Sequence, residues 1–370
     1  MADSTTPNDP NINNITLVGS EGLVDLQSKL DSVSTLSKIR PARTAIGDAL
    51  FGINHRGIPS AIPMNRDTHG MVFFTRPLMN MTQVNLRKDR IFNQLLTNNT
   101  QSLPYLIRLM LDTNLSSVNL GGDGSRSDAF DDLQAFIPML TNLATSVSGF
   151  PDVSVDTYTS HPGQYHEVFS MVDDIAKIYR SYDVTVNFRN IPGDPVTALF
   201  FYWVHYMAAV FEGQLMPYAD MIVNNEIDYQ TRIYRLVLDS TRTKVQKIGA
   251  TGASFPVNVP IGGSFDFTTD RPVNDVNHQI SIQFRSAGAM YNDEILIDEF
   301  NRTVILQNPA MGDNNRGTLY TLVPIGALNI FNNMGYPRIN PQTYNLEWYV
   351  SNDVYAYYLP QYQTLLNAHN

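Results

Sequence analysis

One short segment gathers side chains that could bind a metal ion. His161, His166 and Glu167 lie together in the sequence HPGQYHE. Two histidines share a metal from one helical face when they are about three or four residues apart, but this pair is wider and a Pro-Gly turn separates it. We therefore predict a surface loop with ordinary histidines here, and no metal site.

A second segment, GGDGSRSD, resembles a calcium-binding loop only in part. Asp123, Ser125 and Ser127 alternate along it, but the glycine and the distal glutamate that close such a loop are absent from their places. Ser125 or Ser127 fits better as the N-cap of a following helix with an acidic first turn. We predict a helix start rather than a calcium site.

The adjacent acidic pairs do not indicate acid-base catalysis. Asp293 and Glu294, like Asp298 and Glu299, are neighbours in sequence, and neighbours on a strand face opposite ways. The chain has none of the common phosphate-binding, serine-nucleophile or zinc-protease motifs. It also has no cysteine, which excludes disulfides and thiolate ligands. We therefore expect a protein that is not an enzyme and needs no cofactor.

The charge of the chain argues against tight nucleic-acid binding. The net charge is −10, with 25 Lys and Arg against 35 Asp and Glu. The densest basic cluster, Arg87, Lys88 and Arg90 in NLRKDR, is short, and we interpret it as a solvated helix start or an ion-pairing patch. An acidic surface repels phosphate, which suits a surface past which DNA must move without sticking.

The uncharged segment from Pro195 to Phe211 is predicted to be a buried helix. Asp194 is a suitable N-cap, and a proline is tolerated in the first turn. Apolar residues recur at the spacing of one helical face, and the preceding DVTVNF alternates like a strand. A membrane span would need about 20 apolar residues, and the opposite face carries Thr197, Tyr202, His205 and Tyr206. We expect a core helix and no membrane insertion.

Strand alternation recurs after about residue 151, in RIYRLVLD, HQISIQFRS and NLEWYV. Before that point the patterns are mainly helical, at 90–96, 103–111 and 130–143, with one short strand in GMVFFTRP. The first residues are rich in Asn, Asp, Thr and Pro. We predict an α+β protein in three regions: an extended or disordered arm over 1–20, an α-rich accessory region over 21–150, and a β-rich domain with one long helix over 151–370.

Aromatic residues concentrate near the C-terminal end, in EWYVSNDVYAYYLPQYQ. Patches rich in aromatics and poor in lysine are typical of interface centres, although the same side chains could close the core of their own domain. Both interpretations stay open. The residues that we select as core or assembly candidates are Val184, Val186, Phe188, Leu199, Phe200, Trp203, Met207, Trp348, Tyr349, Tyr355, Tyr357 and Tyr358.

The central part of the chain resembles a known family. The strand DVTVNFRN, the helix DPVTALFFYWVHYMAAVFEG, the strand YQTRIYRLVLD and the turn ATGASFPVNVPIGG precede ISIQFRSAGAMY. This order is similar to the tail-tube class of virion proteins from contractile-tailed bacteriophages, including the tube initiators of the baseplate. The positions that match its strand-to-helix step and its turn are Phe188, Arg189, Pro195, Val196, Phe255, Pro256 and Pro260.

The resemblance implies a structural protein of the virion, made in the host cytoplasm. Its fold would be an antiparallel β-sandwich with a flanking helix, assembled into a hexameric ring around a DNA channel. Its partners would be copies of itself and other tail, sheath or baseplate proteins, with DNA only as passing cargo. The channel wall should then be neutral or acidic, and 228–239 and 266–270 are candidates to line it.

Two other functions remain open at this point. A receptor- or glycan-binding tail module would use exposed tyrosine and tryptophan to stack on sugars. A hydrolase centred on His161 or His166 is the third interpretation. The sequence alone leaves open whether the chain is a tube, initiator, terminator or baseplate subunit.

Overall fold

The computed structural model describes residues 69–115, 130–173, 180–265, 269, 279–331 and 334–369. Its strands are β1 (His69–Phe74), β2 (Ala144–Ser148), β3 (Thr157–Thr159), β4 (Ser170–Val172), β5 (Ser181–Arg189), β6 (Ile233–Leu238), β7 (Val245–Pro256), β8 (Gln279–Tyr291), β9 (Tyr320–Val323), β10 (Tyr336–Ile339) and β11 (Leu346–Ser351). Its α-helices are α1 (Gln83–Leu86), α2 (Leu103–Leu111), α3 (Pro138–Leu143), α4 (Pro195–Phe211), α5 (Ala219–Asn224), α6 (Glu294–Gln307), α7 (Asp313–Leu319) and α8 (Asn352–His369). Short 3-10 helices cover Arg90–Leu95, Gly262–Phe265, Pro309–Met311 and Ile325–Ala327.

Six strands form one antiparallel sheet in the order β1-β6-β7-β8-β5-β2. A second sheet has the order β10-β11-β9, and β3 and β4 pair as a separate hairpin. The described residues thus combine helices with antiparallel sheets, as the α+β prediction requires. The strand in GMVFFTRP and the alternating runs after residue 151 are confirmed as β1, β5, β6, β8 and β11.

The large sheet takes strands from both sides of residue 150. β1 pairs with β6, and β2 pairs with β5, so two strands that precede this position join strands that follow it. The division into regions 21–150 and 151–370 stays a prediction. The arm expected over 1–20 lies outside the described residues.

Two of the three early helical patterns are confirmed, and the third is wrong in its first half. The patterns at 90–96 and 103–111 form the 3-10 helix Arg90–Leu95 and α2. The pattern from Phe130 yields a helix only from Pro138. Ile137 has an extended backbone because the residue before a proline avoids the helical conformation, and Phe136 bridges to Thr75 instead.

The uncharged segment forms α4, with Pro195 in its first turn as predicted. Asp194 precedes the helix but does not cap it, so this part of the prediction is wrong. Its backbone lies in the left-handed region, with φ 47°, and its carboxylate accepts a hydrogen bond from the Asn190 side chain at 2.7 Å. Among the described helices, none has the length and apolar character to cross a bilayer.

Two tyrosines that the sequence placed on the polar side of α4 are buried. Tyr202 is 6% exposed and Tyr206 is fully buried. Their hydroxyls donate to Gln94 Oε1 at 2.9 Å and to Asp228 Oδ2 at 2.5 Å, and a bonded hydroxyl allows the ring to enter the interior. Phe211, the last residue of the segment that was predicted to be a buried helix, is instead 93% exposed.

The two faces of the large sheet are covered differently. One face packs against α4 in an apolar cluster that includes Val184, Phe188 and Phe284. The other face is covered over β1, β6 and β7 by α6 and the three-stranded sheet, around Phe73 and Phe300. Over β8, β5 and β2, the side chains of this second face are exposed or half-buried.

A glycine pair changes the phase of the long strands β7 and β8. Gly288 has φ +68°, a conformation that favours glycine. At Gly252 on the neighbouring strand, a Cβ atom would lie 2.6 Å from the carbonyl oxygen of Ala287. Buried side chains occupy the even positions 280–286 of β8 and then shift to Ala289. β8 therefore contributes Ile280, Ile282 and Phe284 to the cluster against α4, and Met290 to the cluster on the other face.

Candidate functional site

Half of the predicted core or assembly residues lie in the interior. The fully buried ones are Val184, Val186, Phe188, Leu199, Phe200 and Trp203. The Phe200 and Phe188 ring centroids are 5.5 Å apart, and Trp203 Nε1 donates to the Tyr229 carbonyl at 3.0 Å. Met207 packs against the same cluster and is partly buried. These side chains join α4 to the sheet, and the fully buried ones offer no surface to a second protein.

The two predicted aromatic residues on β11 have partners within the fold. The Trp348 ring lies 6.4 Å from the Phe73 ring, across the two sheets. The Tyr349 hydroxyl donates to Glu347 Oε2 at 2.9 Å, and the Arg316 guanidinium lies 5.3 Å from the Tyr349 ring. Both residues therefore stabilise the region around the three-stranded sheet.

The aromatic residues on α8 divide between interior and surface. Tyr355 and Tyr358 contact Phe331, with ring centroids 5.3 Å and 6.0 Å apart. Tyr357 points away and is 73% exposed. Of the aromatic candidates near the C-terminal end, Tyr357 is thus the one with a large exposed surface.

The histidine segment, which lies within the described residues, forms a turn rather than a metal site. His161 and His166 lie in the loop between β3 and β4, where Glu167 accepts a hydrogen bond from the Tyr165 amide at 2.7 Å. In the part of the chain that the structure describes, no group of three or more histidine or acidic side chains could hold a metal. The segment GGDGSRSD lies outside the described residues.

The acidic pairs lie on a helix and have structural partners. Asp293 caps α6 by accepting a hydrogen bond from the Ile295 amide at 3.0 Å. Glu299, further along the same helix, forms an ion pair of 2.7 Å with Arg232. The ion pair joins α6 to the residue before β6, and the capping bond satisfies the first turn of the helix itself.

A buried ionic network joins the end of β1 to the helices. The Arg76 guanidinium donates to the carbonyl oxygens of Leu109 at 2.6 Å and Asp112 at 3.0 Å. The Asp112 carboxylate accepts from the Tyr218 hydroxyl at 2.7 Å and from the Met81 amide at 2.9 Å. Burial raises the pKa of Asp112 and lowers the pKa of Arg76 to about 10. The sequence analysis missed this network, whose only signal is an arginine directly after an apolar strand.

Two of the acidic positions expected to line a channel, Asp228 and Asp239, lie within the described residues, and their environments differ. Asp228 is 2% exposed and accepts the Tyr206 hydroxyl bond, and burial raises its pKa. Asp239 lies in the turn between β6 and β7, where it accepts from the Thr243 amide at 2.9 Å. The expectation is therefore wrong for Asp228, and 266–268 and 270 lie outside the described residues.

One half of the large sheet is left uncovered by the described elements and presents a polar surface, which we call the polar sheet face. Its residues are Ser146, Asp183, Thr185, Asn187, Ser281, Gln283 and Arg285. Asp183 and Arg285 form an ion pair of 2.8 Å, and Asn187 donates to Ser146 Oγ at 2.8 Å. The charges of this pair cancel. Arg189, at the end of β5, is exposed on the same face, so the face is a polar, hydrogen-bonding surface with one further cation at its edge.

The segment 152–173, which we call the hairpin arm, is exposed at every residue except Ser160. Its strands β3 and β4 are held by backbone bonds, such as Ser160 N to Phe169 O at 2.8 Å. Its apolar residues with 45–87% exposure are Val153, Val155, Tyr158, Tyr165, Val168, Phe169, Met171 and Val172. Exposed apolar surface in such a group marks an interaction site.

A second exposed surface, which we call the basic patch, surrounds the NLRKDR segment. It consists of Val84, Arg87, Lys88, Arg90 and Ile91. Val84 is 79% and Ile91 38% exposed, and the three cations are exposed beside them. The carboxylate of Asp89 accepts from the Ile91 amide at 3.0 Å and caps the 3-10 helix. The structure therefore confirms that the NLRKDR segment contains a solvated helix start.

Comparison with known proteins identifies the family. Residues 25–365 match the family described as "Putative phage tail tube protein". The chain belongs to this family. It is therefore a structural protein of the phage tail tube type, as the resemblance of its central part indicated.

Several solved structures share a limited similarity with this tail tube family member. Each is 16% identical to this chain and covers 42% of it. The tube-terminating cap of the anti-feeding prophage is covered to 81% of its own length with a TM-score of 0.27. The sheath/tube terminator of the extracellular contractile injection system PVC in its extended state is covered to 86% with a TM-score of 0.24, and the PVC sheath-tube complex in its extended state to 82% with a TM-score of 0.26. TM-scores of this size do not establish a shared fold. No curated protein sequence matches the chain significantly.

Proposed function

We propose that this tail tube family member assembles into a hexameric ring around a DNA channel, with the polar sheet face toward the channel. The observation that carries the proposal is the half-covered large sheet, which has an apolar cluster on one side and the polar sheet face on the other. Antiparallel sheets commonly keep one face solvated in this way. In the assembled ring, a water-filled channel would solvate the polar sheet face.

The chemistry of the polar sheet face fits the passage of DNA. A wall rich in Lys and Arg would bind phosphates by releasing counterions and would retard the DNA. Here the cation of Arg285 is neutralised by Asp183 at 2.8 Å, and the neighbouring positions are mainly serine, threonine, asparagine and glutamine. The channel wall would thus carry one further cation per chain, Arg189 at the end of β5, and would otherwise be neutral.

The same proposal includes the arrangement of the two sheets and the role of the protein in the virion. The large and the three-stranded sheet meet through Phe73 and Trp348, and we take this pair as the β-sandwich expected of the family. The protein acts as a structural, non-enzymatic part of the virion, without a cofactor, made in the host cytoplasm. Its proposed partners are further copies and other tail, sheath or baseplate proteins.

Cysteine labelling tests which face lines the channel. The chain has no cysteine, so Ser281→Cys introduces a single thiol on the polar sheet face. In assembled particles a small maleimide should label it, whereas a maleimide on a protein-sized polymer should be excluded. Ser240→Cys, in the exposed turn between β6 and β7, is the matched control. On the isolated protomer both maleimides should label it, which shows that both reagents are reactive. Equal labelling of Ser281→Cys by both reagents in assembled particles would contradict the proposal.

A further inference from the structure

We propose that the hairpin arm of one copy docks on the basic patch of a neighbouring copy. The inference rests on the proposed self-assembly and adds to it a specific pair of mating surfaces. Both surfaces are exposed and partly apolar: the arm carries Phe169 at 69% and Met171 at 63% exposure, and the patch carries Val84 at 79%. Apolar side chains at this exposure gain free energy when a second surface covers them.

The shape of the hairpin arm gives it a distinct apolar side. Tyr158 and Met171 are directly opposite each other in the β3–β4 pair, so their side chains lie on one face. Phe169 precedes Met171 by two positions and faces the same way. A hydrogen-bonded hairpin that presents these three side chains on one face is already shaped for docking, so little conformational entropy is lost when it binds.

Charge selects the occupant of each surface. The hairpin arm contains Asp152, Asp156, Glu167 and Asp173, and neither lysine nor arginine. The basic patch holds three cations and is the densest basic cluster of a chain whose net charge is −10. The single acid among them, Asp89, is turned to the Ile91 amide. A second copy of this chain therefore supplies the charge complement that each surface needs.

The proposed contact has the symmetry that a ring or a stack of rings requires. The hairpin arm and the basic patch are different surfaces, formed by residues 152–173 and 84–91. A contact between two different surfaces is heterologous, so it repeats from copy to copy until it closes or extends. One arm and one patch per chain would thus leave neither surface uncovered inside the assembly.

Paired charge reversals test the contact on the full chain. Glu167→Lys with Asp173→Lys reverses the arm, and Arg87→Glu with Arg90→Glu reverses the patch. Each reversal alone should weaken assembly by about tenfold or more, measured by sedimentation, because like charges then face each other. A chain that carries all four substitutions should regain assembly. Lys247→Glu with Arg302→Glu, which changes charge equally on other exposed positions, should leave assembly unchanged.

The outcomes separate this inference from the proposed function. Thermal unfolding of each variant establishes that the protomer is folded. If the wild-type chain assembles and the reversals have no effect, or the fourfold variant does not recover, the docking contact is overturned while the ring proposal stands. If the folded wild-type chain never self-assembles, both fail.

Discussion

At the residue scale, burial was the property that the sequence predicted best. The helical spacing of Leu199, Phe200 and Trp203 correctly placed these side chains on one apolar stripe, and all three are fully buried. Hydrophobic spacing could not place Tyr206 or Arg76, because their burial depends on partners distant in sequence, Asp228 and the Leu109 carbonyl. A polar group enters the interior only when the fold supplies its hydrogen bonds.

The central helix offers a direct test of this packing. Trp203→Ala should lower the free energy of unfolding by about 3–5 kcal/mol, because it leaves a cavity and removes the bond to the Tyr229 carbonyl. Phe211→Ala on the same helix is the control, and its 93% exposure predicts a change within about 0.5 kcal/mol. Urea denaturation of the isolated protomer measures both. A loss below about 1 kcal/mol for Trp203→Ala would show that the helix does not pack as described.

At the element scale, alternation identified the strands that have one buried face. β5, β6, β8 and β11 were found in this way. The hairpin β3–β4 was missed because each of its strands has only three residues, too few for an alternating pattern to be recognised. The helix expected from Phe130 was shortened by Pro138, whose effect on the preceding residue outweighed the apolar spacing.

The glycine kink between β7 and β8 gives the prediction at this scale. Gly252→Ala should destabilise the protein by about 1–3 kcal/mol, because the new Cβ would lie 2.6 Å from the Ala287 carbonyl oxygen. Gly317→Ala in α7 is the matched control. Its Cβ would meet no atom within 4 Å, and alanine favours helix, so it should stabilise by up to about 1 kcal/mol. Differential scanning calorimetry measures the stability of both variants. An equal effect of the two substitutions would show that the close approach at Gly252 does not require a glycine.

At the scale of the whole molecule, the sequence indicated the family but not the surfaces. The family match over 25–365 agrees with the resemblance drawn from the central motifs. The order of strands in the large sheet, which leaves the polar sheet face uncovered, depends on pairings between distant segments such as β1 with β6. A net charge of −10 suggested a neutral or acidic channel wall, but it could not identify which side chains would line that wall.

Electron microscopy of the assembled, purified protein tests the central claim most directly. The account predicts closed rings with a central pore, and the fitted chain should place Thr185 and Ser281 of the polar sheet face on the pore wall. The hairpin arm should contact a neighbouring copy rather than solvent. Rings with this face turned outward, or a pore lined mainly by Lys and Arg, would contradict the account.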